Sequence, residues 1–153
     1  MELGPIYINV NGYGRLGSDL DSPITFVSTV DCPYIIKDQQ IDYCDNIINV
    51  YQTDSNIKSA DIYIKLSTVY IEADVWCSLF RIVATNYLNI YLLIEGEVDF
   101  VGGDGQQIFS SQGNGGASVI IIINESTYGG YFNAESPDGL TYKDSGSINI
   151  RDV

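Results

Sequence analysis

The chain has 153 residues, no histidine, and seven Lys plus Arg against twenty Asp plus Glu, a formal charge of −13. Histidine is the usual acid/base and metal ligand near neutral pH, and cations bind phosphate, so most catalytic designs and nucleic-acid binding are disfavoured at once. The apolar fraction of 45% suits one globular domain, 1–153, which at this length buries roughly 70% of its unfolded surface.

Strand signals recur in chain order. Ile6, Ile8 and Val10 alternate with Tyr7 and Asn9, a period of two. Residues 11–22 read as a mobile loop or arm. Ile24–Val30 is rich in β-branched residues and stops at Asp31-Cys32-Pro33. Ile47–Tyr51 ends in the turn formers Thr53-Asp54-Ser55-Asn56. Ile62, Ile64 and Leu66 alternate with Tyr63 and Lys65, and Val69–Ala73 follows.

Between Asp74 and Asn86, apolar residues fit a helix or two short strands equally well. Leu88–Glu95 and Glu97–Val101 read as strands bent at Gly96, with Gln106–Phe109 returning as a hairpin partner after Gly102-Gly103-Asp104-Gly105. Ala117–Ile123 is apolar throughout but for Ser118, as in a strand covered on both faces. Ser136-Pro137-Asp138-Gly139 predicts a turn between Tyr131–Ala134 and Leu140–Lys143, and Ser147–Val153 closes as a strand. No internal repeat is evident. The pattern predicts an all-β fold, a single antiparallel β-sandwich or jelly-roll-like domain with at most one short helix.

Gly12-Tyr13-Gly14-Arg15-Leu16-Gly17 spells GxGxxG after a strand, and Asn11–Gly17 resembles the opening of NAD-dependent glyceraldehyde-phosphate dehydrogenases. That resemblance implies a bound dinucleotide at the glycine turn and a catalytic Cys–His pair. Only Ser18–Pro23 separate Gly17 from the next strand, whereas a crossover helix needs about ten residues or more. With no histidine to pair with cysteine, the stretch reads as a glycine-rich loop.

Acidic turns hold the metal candidates: Asp19 and Asp21, and Asp99 and Asp104, could supply oxygen ligands to a structural Ca²⁺, against the plainer reading of solvated turn aspartates. Two carboxylates could in principle run a glycosidase, but nothing in the sequence pairs them across space. Cys32, Cys44 and Cys77 show no CxxC spacing and read as buried thiols of a reducing compartment. Twelve tyrosines suit strands, and Tyr128, Tyr131 and Trp76 are the candidates for an interface or a stacking platform for sugars.

These residues point to a non-enzymatic structural or assembly protein without cofactor, acting by association with itself and other proteins. The narrowest expectation is an acidic, homo-oligomeric virion component of a phage: a capsid decoration, head-fibre or tail protein, made in the host cytoplasm. No signal peptide or apolar run of about 20 residues argues for a membrane. Two alternatives are a carbohydrate-binding β-sandwich module and an acidic inhibitor that mimics DNA.

Overall fold

The computed structural model describes residues 6–9, 34–44, 48–56, 58–73, 78–113, 118–126, 129–145 and 148–153. The GxGxxG stretch, Asp19, Asp21, Cys32, Cys77, Trp76 and Tyr128 lie outside them, as does the 11–22 segment. The strands are β1 (Ile6–Asn9), β2 (Tyr34–Cys44), β3 (Ile48–Gln52), β4 (Ser59–Ala73), β5 (Phe80–Ala84), β6 (Tyr87–Val101), β7 (Phe109–Gly113), β8 (Val119–Asn124), β9 (Tyr131–Glu135) and β10 (Asn149–Asp152).

Every ladder between these strands is parallel. One sheet runs β1-β3-β5-β7, and the other runs β10-β8-β6-β4-β2 with β9 also on β6. From β1 to β8 successive strands alternate between the sheets, so the chain winds as a β-solenoid of about three turns. Among its turns are β3–β4, β5–β6 and β7–β9. This overturns the antiparallel sandwich or jelly roll: alternation of apolar and polar residues fixes which way side chains face, and it is silent on the direction of the neighbouring strand.

The core is a set of columns running along the solenoid axis. Ile6, Ile48, Phe80 and Phe109 share one column, and Ile62, Ile90, Ile121 and Ile150 another. Ile48, Ile62, Ile90, Phe80, Phe109 and Ile121 are fully buried. Each turn cannot bury its inward face alone, so stacking on the neighbouring turns supplies the burial that holds it. At roughly 1.5–3 kcal/mol for each large apolar side chain buried, these columns are the main source of stability.

Within 78–86 the strand wins over the helix. Phe80, Ile82 and Ala84 point inward and Arg81 and Val83 outward, a period of two that seats β5 between β3 and β7. Gln106–Phe109 is no hairpin: Phe109 opens β7, which runs parallel to β5 in the other sheet. The bend at Gly96 is real. β6 passes through it with a φ of 69°, its first half pairing β8 and its second half β9. β8 buries alternate residues, so its outer face is half-buried, and the double coverage expected from its apolar run is not seen. The turn at 136–139 forms, with one antiparallel bridge between Glu135 and Thr141.

Candidate functional site

The solenoid offers outward faces on which residues from successive turns stand in register. On the first half of β4 and β6, Tyr63 and Tyr91 stack at 4.5 Å between ring centroids and 14° between planes. Beside them Asn89 donates to Asp61 at 2.8 Å. Lys65 pairs with Glu95 at 2.7 Å, and the Ser67 hydroxyl donates to the same carboxylate at 3.0 Å. Burial, with the charge of Asp61 behind it, raises the pKa of the Tyr91 hydroxyl.

The second half of the same strands, with β9, carries Tyr70, Asp99 and Asn133 in one row and Glu72, Val101 and Glu135 in the next. Asn133 donates to Asp99 at 3.4 Å, and the Tyr70 hydroxyl donates to Glu72 at 3.2 Å. On the sheet of β1, β3, β5 and β7, Tyr7 stacks on Tyr51 at 6.2 Å and Arg81 donates to Gln112 at 2.6 Å.

Among the registered pairs no carboxylate stands opposite another. Asp61 faces Asn89, Glu95 faces Ser67, Glu97 faces Tyr131, and Glu72 and Glu135 both face Val101. Parallel in-register strands are about 4.8 Å apart, so like charges in one row would repel strongly. Amides, hydroxyls and aromatics between the carboxylates let an acidic chain stack.

Of the residues singled out from sequence, Asp99 lies on the β6 surface, bonded to Asn133. Asp104 lies exposed in the turn that follows β6. Among the described residues no three acidic or thiol side chains gather as a metal-holding group. The carboxylate that does organise this end is Asp138. It accepts from the Ser136 hydroxyl and from the Gly105 amide at 2.9 Å, and the first of these bonds leads in pulling its pKa down. Tyr131 is 62% exposed at the start of β9. Cys44 sits at the register position of Ala73, at the end of β2.

The Tyr63–Tyr91 stack escaped the sequence reading. Its signal was present in Ile62-Tyr63-Ile64 and Ile90-Tyr91-Leu92, two copies of one short pattern 28 residues apart.

No protein family, curated protein or solved structure matches the chain. Nothing outside the chain therefore ties it to a virion. Among the described residues, no helix is long and apolar enough to cross a membrane.

Proposed function

We propose that this protein is a non-enzymatic structural module, a short rigid β-solenoid that works by contact and association. The observation that carries this reading is the use made of the outward polar side chains. Asp61–Asn89, Lys65–Glu95–Ser67, Arg81–Gln112 and Asp99–Asn133 each tie one turn to another. These groups act as ribs that stiffen the stack. The Tyr63 and Tyr91 rings, face to face, do the same.

Sedimentation equilibrium from nanomolar to high micromolar concentration tests the proposal. Reversible self-association supports it. A chain that stays monomeric at every concentration would overturn it.

A second reading, a glycan-binding module, is favoured by one residue. Tyr131 is 62% exposed on the surface that carries Asp99 and Asn133, an aromatic beside hydrogen-bonding groups. Glycan-array binding lost in Tyr131→Ala would establish it.

A further inference from the structure

The two sheets end out of step. β10 continues one sheet beyond β8, whereas the other sheet, among the described residues, stops at β7. Two turns earlier, residues 74–86 lead from β4 to β6 and contain β5; residues 136–148, equally long, lead from β9 to β10. Of the latter, residues 136–145 form the turns around Pro137 and Tyr142 and pack Tyr142 edge-on against Phe132 at 5.2 Å. Among the described residues, none of them joins the β7 backbone. Among the described residues, the position beside β7 that a further strand would take is thus left open.

The edges of the two sheets also differ in chemistry. β10 carries Arg151 and Asp152, and Asp152 is held by Lys143 at 3.1 Å, the charged character that keeps an edge strand from pairing. β7 reads Phe-Ser-Ser-Gln-Gly and β1, the opposite edge of the same sheet, reads Ile-Tyr-Ile-Asn. Neither has a charge. The register also continues: the column Ile6, Ile48, Phe80, Phe109 is apolar throughout, and the column Asn9, Tyr51, Val83, Gln112 is uncharged throughout.

We propose that β7 is a strand acceptor and that its occupant is β1 of a second copy of this chain, added parallel and in register, so that molecules join head to tail. This deepens the assembly reading and rests on it. Because the donor and acceptor edges differ, the contact is heterologous, and repetition gives a ring or a filament.

A charge swap in one column tests it. In the proposed register Asn9 of one copy stands opposite Gln112 of the next. The double variant Asn9→Glu/Gln112→Glu should raise the concentration of half-association by about tenfold or more, and Asn9→Lys/Gln112→Glu should restore it. Thermal melts of both variants check that the fold persists. Mixing Asn9→Cys with Gln112→Cys chains should give a disulfide between chains that neither gives alone, since neighbouring parallel strands bring Cα atoms within disulfide reach. If the wild type associates but neither the swap nor the mixed disulfide registers, the β7–β1 contact is wrong while the assembly reading survives. A wild type that stays monomeric at every concentration overturns both.

Discussion

Thr68 and Gly96 lie one turn apart at the same bend, and both take a left-handed backbone, with φ of 52° and 69°. A Cβ added to Gly96 would sit 2.7 Å from the Thr68 hydroxyl oxygen. Glycine adopts this conformation freely, while a β-branched residue is strained in it by about 1–2 kcal/mol. The solenoid tolerates Thr68 because Gly96 leaves it room. Thr68→Gly should therefore stabilise the fold by about 0.5–1 kcal/mol after the added unfolded-state entropy, and Gly96→Ala should destabilise it by about 2 kcal/mol. Combined, the pair should cost less than the sum, because Thr68→Gly removes the clash. Denaturant melts of the three variants measure that coupling.

Gly130 and Gly129 make a sharper contrast. A Cβ on Gly130 would land on the Ile94 carbonyl, a backbone group that cannot move aside, whereas one on Gly129 would meet nothing. Gly129 instead has a φ of 65°. Gly129→Ala should cost about 1 kcal/mol, from its backbone conformation alone. Gly130→Ala should cost more than about 3 kcal/mol or prevent β9 from docking on β6. Tm values rank the two, and equal losses would refute the close approach.

Gln52 is fully buried at the corner where β3 ends. Its side-chain carbonyl accepts from the Thr85 and Asn86 amides at 3.2 Å each, and its amide donates to the Asp54 carbonyl at 3.1 Å. One side chain thus fixes the corners of two turns. Gln52→Ala should cost about 1–3 kcal/mol by removing these bonds inside the protein, read as a lower denaturation midpoint. Gln52→Glu should be worse at neutral pH, because a buried carboxylate cannot make the donated bond.

Much of the strand content was legible. Ile62–Leu66 and Leu88–Leu92 alternate so regularly that strands were the natural reading, and Gly96 announced the bend. The direction of pairing was not legible, because alternation looks the same in parallel and antiparallel sheets. The repeat was hidden for a related reason: turns share inward apolar character instead of identical residues. Turn length also drifts, from 28 residues between Ser59 and Tyr87 to 31 between Leu88 and Val119. Glycine-rich connections at 102–105 looked like hairpin turns, yet they carry the chain to the other sheet. Of the candidate side chains, Asp99 and Tyr131 do reach one surface, but what they neighbour there is set by the stacking.

The C-terminal strand should loosen at high pH. The Tyr142 hydroxyl has its pKa raised, by burial first and the Asp152 charge next, and that of Lys143 is raised by its hydrogen bond to Asp152. A raised folded-state pKa gives stabilisation fully present below the unfolded value, near 10 for both groups, and lost as pH rises through the folded one. Tm should therefore hold between pH 7 and about 9.5 and fall beyond it. The double variant Tyr142→Phe/Lys143→Met should flatten that fall. A wild-type Tm that does not change up to pH 11.5 would contradict the arrangement.

The stacking of parallel strands is most directly read by nuclear Overhauser contacts across β4 and β6 in labelled protein. The register predicts ring contacts between Tyr63 and Tyr91, methyl contacts between Ile62 and Ile90, and backbone cross-peaks of the parallel type throughout the ladder. Close Hα–Hα cross-peaks between these strands, the signature of antiparallel neighbours, would contradict the solenoid and all that is built on it.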